Sequence, residues 1–111
     1  MYQKKLQGAV QVIDGSEPLS ADHVDEVSGL FEACLTDGQP MVVFDLAKVP
    51  LLDSTGLELL LDVQENYQQR GGALKLAAAN HLCNDILTAT GVGDRFEIYH
   101  NVTDAVGSFI R

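Results

Sequence analysis

At 111 residues, 46% of them hydrophobic, the chain has apolar material for one ordinary core and no length for a second domain, so residues 1–111 are expected to fold as a unit. Seven basic residues against 16 acidic ones leave a formal charge of −9. Such a surface repels phosphate backbones and anionic headgroups, so nucleic-acid and membrane-surface readings start low and a basic protein partner suits the charge better.

The first residues, Met1 to Gly8, contain no apolar leader, and no apolar run approaches the ~20 residues that span a bilayer. A cytoplasmic location is expected. Gln3–Leu6 and Ala9–Ile13 read as two short strands about Gly8, and Asp14-Gly15-Ser16-Glu17-Pro18 is turn chemistry. Ser20 or Ala21 opens a helix in which Val24, Val27, Leu30, Phe31 and Leu35 form an apolar stripe, closed by Asp37-Gly38. Met41–Leu46 has the composition of a strand buried on both faces of a parallel sheet.

A second helix runs from about Thr55 to Gln69, with Leu57, Leu60, Leu61, Gln64, Tyr67 and Gln68 along one side and Arg70-Gly71-Gly72 at its end. Ala73–Ala79 is a strand by its position between two helices. Asn80 caps a third helix carrying Leu82, Cys83, Ile86 and Leu87, which ends at Thr90-Gly91. Phe96–Tyr99 is a last strand, and Asn101 starts a final helix with Asp104 in its first turn. The order ββαβαβαβα predicts an α/β fold: a mixed, mostly parallel sheet of about five strands with about four helices, the first strand antiparallel at or near one edge. Cys34 and Cys83 stand apart in apolar segments, without metal-ligand spacing, and read as buried free thiols.

Asp53-Ser54-Thr55-Gly56 leads into the second helix. A serine there commonly caps the free backbone N–H groups, and Asp53 can cap equally well, with Thr55 and Gly56 letting the chain turn. The same helix end can also receive a phosphate, because it carries unpaired donors and a partial positive charge. Phosphorylating Ser54 would add about −1.5 to −2 charges beside Asp53, Glu58 and Asp62, with no base in the segment to neutralise them. A partner docked there would be ejected. Leu59 points away from Leu57, Leu60 and Leu61 on a helical projection and is expected to be an exposed apolar anchor.

Four motifs in order carry a resemblance: Val43-Phe44-Asp45-Leu46, Leu52-Asp53-Ser54-Thr55-Gly56-Leu57, Arg70-Gly71-Gly72 and Leu87-Thr88-Ala89-Thr90-Gly91-Val92. Over about Met41 to Arg111 the chain resembles the STAS domain, and within it the bacterial anti-sigma factor antagonists. The resemblance implies a compact domain with a mixed sheet and about four helices. It implies that Ser54, directly after the aspartate, is the phosphorylated residue and that Asp53 supports recognition there. It also implies a partner that is both anti-sigma factor and serine kinase, using ATP held by the kinase, and a metal-dependent serine phosphatase that resets the switch. No cofactor of the chain itself is implied. The family often shows G-E-[LIV]-D after the second strand. Here Gly15-Ser16-Glu17-Pro18-Leu19-Ser20 departs from it, leaving Glu17 or Asp22 to supply the acid.

Two other readings compete. One is a STAS subunit of a signalling complex, or an accessory cytoplasmic subunit of a lipid or anion transport system. The other is an enzyme with Ser54 as nucleophile, but His23, His81 and His100 sit on separate element ends and no G-x-S-x-G turn surrounds the serine. Asp22, Asp25 and Glu26 follow helical spacing, as a solvated face does. Gly91-Val92-Gly93 lacks the lysine and third glycine of a phosphate loop. No catalytic residue and no metal ligand is therefore assigned.

Overall fold

The structure is a computed structural model and describes residues 1–35 and 38–110. Its strands are β1 (Tyr2–Gln7), β2 (Val10–Gly15), β3 (Met41–Asp45), β4 (Ala73–Ala77) and β5 (Ile98–Tyr99). Its helices are α1 (Val24–Ala33), α2 (Ser54–Gln69), α3 (His81–Thr90) and α4 (Val102–Phe109), and one 3-10 turn covers Val92–Arg95. The sheet order is β1-β2-β3-β4-β5. β1 runs antiparallel to β2 and lies at the edge, while β2 to β5 are parallel. The α/β class, the mixed sheet and the element order agree with the sequence reading.

Gly8, at φ +62°, makes the tight turn that lets β1 fold back on β2. The parallel strands read as continuous apolar runs because both faces are covered. On one face Ile13, Val42, Phe44, Leu74 and Leu76 meet Val27 and Phe31 of α1, Leu60 and Tyr67 of α2, and Cys83 and Leu87 of α3. On the other face Val10, Val12, Val43 and Ala77 meet Ala105 and Val106 of α4, with Val102 and Phe109 of the same helix packed beside them. That face also holds Lys75, whose Nζ donates to Ser108 Oγ at 2.7 Å and sits 4.1 Å from the Phe109 ring centre. A buried cation is tolerated there because a hydroxyl, a ring and the Glu97 carboxylate, 3.5 Å away, share its charge.

Several boundaries differ from expectation, each for a local reason. α1 begins at Val24, because Ser20 to His23 form a turn in which the His23 and Val24 N–H groups both donate to Ser20 O. The glycine expected to end α1 is Gly38, but its companion Asp37 lies outside the described residues. β4 stops at Ala77, since Ala78 adopts φ +61° and turns the chain away. The last strand loses Phe96 and Glu97, because Phe96 N–H closes the 3-10 turn on Gly93 O. Other punctuation acts as read: Asn80 caps α3, Asn101 caps α4, and Gly91 takes φ +75° after α3. At the end of α2, Gly72 N–H donates to Tyr67 O and Gly71 N–H to Gln68 O. Both cysteines are buried and free, and burial raises their thiol pKa values, which keeps them neutral.

Candidate functional site at the start of helix α2

Chain direction out of β3 brings the site to the carboxyl end of the sheet. After Asp45 the chain crosses the sheet end through Leu46 and Val49, both buried, and then Pro50 and Leu51, both exposed. Leu52 is buried again and bridges in parallel with Leu19 of the β2–α1 loop. Around that bridge, Leu19 N–H donates to Leu51 O at 3.0 Å and Asp53 N–H donates to Leu19 O at 3.1 Å. The β2–α1 loop is therefore strapped to the turn that starts α2.

Asp53, with extended backbone, is the cap of α2: its Oδ1 accepts from Gly56 N–H at 2.9 Å. Its Oδ2 accepts from Ala21 N–H at 3.3 Å, a second tie to the same loop. One carboxylate thus closes the helix end and holds the strap. This resolves the choice between two adjacent oxygens in favour of Asp53.

Ser54 is the first helical residue and is exposed. Its hydroxyl makes no hydrogen bond among the described residues, and neither the Ser54 nor the Thr55 N–H has an acceptor there. Gly56 is buried, and the position requires glycine because a Cβ here would lie 2.2 Å from Leu19 O. The glycine lets the strap and the helix touch, so it shapes the site without facing solvent.

Glu58 and Asp62 are exposed, and Thr55 is half-buried. Leu59 departs from the expected exposure: it is half-buried and packs on the core, lining the channel between α1 and α2. The helical projection misplaces it because α2 is packed on more than the sheet. Leu57, Leu60, Gln64 and Tyr67 are its buried positions, while Leu59 and Val63 turn toward α1. Gln68, expected on the inner side, is exposed. Gln64 is buried because its amide is fully engaged, accepting from Leu74 N–H at 2.8 Å and donating to Leu74 O and Arg95 O.

Three features of this end were not legible in the sequence. The strap from Leu19 and Ala21 is a long-range backbone contact that no local pattern marks. The channel between α1 and α2 depends on how two stripes meet. Third, Glu17, His23 and Glu26 converge, with their ligand atoms within 4.8 Å of one another. Those carboxylates already have partners: Glu17 takes the terminal ammonium, which holds its pKa below the usual range, and Glu26 accepts from Tyr2 N–H at 3.0 Å. His81 is exposed beside Asp85 on α3, and His100 is exposed. Asp22, the other acid expected to stand in for the departed motif, is exposed in the turn next to Ala21.

The comparisons with known proteins agree with this architecture. An anti-sigma factor antagonist from Mycobacterium paratuberculosis is similar at a TM-score of 0.87 and 21% identity, over 100% of this chain and 94% of that one. A STAS domain protein from Planctomyces limnophilus, described as an anti-sigma-factor antagonist, gives 0.86 and 20%, over 99% of this chain and 98% of that one. The STAS domain of a SulP transporter from Vibrio cholerae gives 0.73 and 17%, over 96% and 84%. No curated protein matches the sequence. At these identities the likeness is one of fold. The sequence profile of the STAS domain matches residues 2–105, taking in the two N-terminal strands and α1 that the motifs had left outside the resemblance. With the profile running from the edge strand into the last helix, the chain belongs to the STAS domain family.

Proposed function

We propose that the chain is an anti-sigma factor antagonist whose binding is switched by phosphorylation of Ser54. Unphosphorylated, it sequesters a protein that is both anti-sigma factor and serine kinase, in the cytoplasm. The kinase transfers the terminal phosphoryl group of its own ATP to Ser54 Oγ, leaving ADP, and the complex dissociates. A serine phosphatase hydrolyses the phosphoserine with water and restores binding. The chain performs no catalysis in this cycle.

The observation that carries this reading is the placement of two neighbouring oxygens. Asp53 supplies the side-chain cap of α2, and the Ser54 hydroxyl is exposed at the mouth of the helix with no hydrogen bond among the described residues. A kinase can reach it, and about −1.5 to −2 added charges would fall among Asp53, Glu58 and Asp62. Thr55, Glu58, Leu59 and Asp62 supply the partner-facing surface beyond it, while Asp53 and Gly56 set its shape. Exposed Leu51, three residues before Ser54, offers apolar area on the other side of the turn.

The alternative role in a transport complex draws on the fold shared with transporter STAS domains. Among the described residues no helix is long and apolar enough to cross a membrane. The antagonist chains are more similar in fold than that transporter domain, which supports the switch over that role.

The test is to incubate the chain with the serine kinases of its own genome and ATP. Mass spectrometry should place one phosphate on Ser54, and Ser54→Ala should incorporate none. Ser54→Asp should weaken kinase binding by about 1 kcal/mol or more, roughly fivefold, in titration calorimetry. Phosphate on Thr55, or unchanged affinity for the aspartate variant, would overturn the mechanism.

A further inference from the structure

α1 and α2 do not close on each other along their outer edge. Between them lies a cavity of about 240 Å³ with a floor of Phe31, Leu35, Leu59, Val63 and Tyr67. Small-molecule sites usually enclose ~300–1,000 Å³ and bury most of their ligand, so this open, shallower space suits a side-chain ridge better. It continues past Leu59 toward the start of α2, where Val24, Ser28 and Thr55 line it. From Thr55 to Tyr67 the groove follows about 18 Å of α2, the length of a helix of about 12 residues.

The walls carry one sign of charge. Asp25 and Glu32 stand on the α1 side and Glu58 and Asp62 on the α2 side, and among the described residues no lysine or arginine lines either part of the groove. An apolar floor between two acidic walls complements a helix with an apolar stripe flanked by lysine or arginine. The 7 bases of the whole chain against its 16 acids make a second copy of the chain a poor occupant.

We infer that the groove between α1 and α2 docks a basic, amphipathic helix of the protein partner. This rests on the reading that the partner lies at the start of α2, and it extends that surface along the helix toward Tyr67. Apolar residues of the incoming helix seat between Leu35, Leu59 and Val63, and its flanking cations face the four carboxylates. A phosphate at Ser54 would stand at the groove's upper end, beside Thr55, where it alters one end of the docked helix and leaves the rest of the floor intact.

The probe is a synthetic helical peptide of about 14 leucine and lysine residues, with leucine at helical spacing, and its leucine and glutamate counterpart. Each is titrated into the isotope-labelled unphosphorylated chain and followed by amide chemical shifts. The lysine peptide should shift Ser28, Glu32, Leu59, Asp62, Val63 and Asn66 as one group, and the glutamate peptide should shift nothing. The double variant Glu32→Lys with Asp62→Lys should weaken the lysine peptide about tenfold or more, with an unchanged melting temperature. Shifts scattered over other acidic surface, such as Asp85, Asp94 and Asp104, would overturn the inference, as would an affinity unchanged by the double variant. Failure here leaves Ser54 phosphorylation and the effect of Ser54→Asp on kinase binding to be read independently. If those two assays fail while the peptide still maps to the groove, the switch is lost and the docking groove stands.

Discussion

Replacing Asp53 and Ser54 by alanine, one at a time, separates the oxygen that holds α2 from the oxygen available for modification. In Asp53→Ala the bond from Gly56 N–H is lost, and a missing cap of this kind costs about 1 kcal/mol. The bond from Ala21 N–H is lost too. At 3.3 Å and exposed, it belongs at the low end of net hydrogen-bond contributions, about 0.5 kcal/mol. The sum is about 1.5 kcal/mol, which in a domain near 100 residues lowers the melting temperature by roughly 6 °C. Asp53→Asn keeps an acceptor in place and should stay within about 0.5 kcal/mol of the parent. Ser54→Ala removes a hydroxyl that has no partner among the described residues and installs the best helix former, so it too should stay within about 0.5 kcal/mol. Urea unfolding followed by circular dichroism, compared at equal slope, measures all three. A Ser54→Ala loss as large as that of Asp53→Ala would show that the serine oxygen is the cap, and the case for a freely modifiable hydroxyl would fall with it.

Gly56→Ala places a methyl 2.2 Å from Leu19 O, so overpacking of about 1–3 kcal/mol outweighs the helix-propensity gain of about 1 kcal/mol. The same unfolding assay should show a net loss, and added stability would mean the strap yields freely. Leu59→Ala should destabilise by about 1–2 kcal/mol, less than the 2–5 of a fully buried leucine, because the side chain is half-covered. No change in its urea midpoint would put Leu59 back in solvent. At alkaline pH the fold should weaken. Burial raises the pKa values of Tyr2, Tyr67, Cys34 and Cys83, and the Cys34 thiol raises Tyr67 further. These groups keep their protons in the folded chain while the unfolded chain releases them from about pH 8.5 (Cys) and pH 10 (Tyr), so stability is full below that range and falls as pH rises through it. Urea midpoints at pH 7 and 10.5 check the sign, and Tyr67→Phe should reduce the slope; a flat profile would contradict it.

Much of the fold was readable because each element agrees with itself locally. Apolar runs in Met41–Asp45, glycines after α2 and α3, and asparagines before α3 and α4 each name their structure within a few residues. What was not readable depends on distant groups. The turn at Ser20–His23 arises where the Ala21 N–H is drawn to Asp53, 32 positions away in the chain. Leu59 looked exposed on a helix considered alone, yet α1 covers part of it. The candidate site was located from its motif. Which of Asp53 and Ser54 caps the helix depended on side-chain geometry, and composition offers no signal for that.

The carboxylate of Asp53 frees its neighbour from structural duty. Alteration of Ser54 Oγ does not remove the bond to Gly56 N–H that keeps α2 anchored, so a change of state there need not be bought with unfolding. Architecture and message occupy consecutive positions, and each can vary without erasing the other.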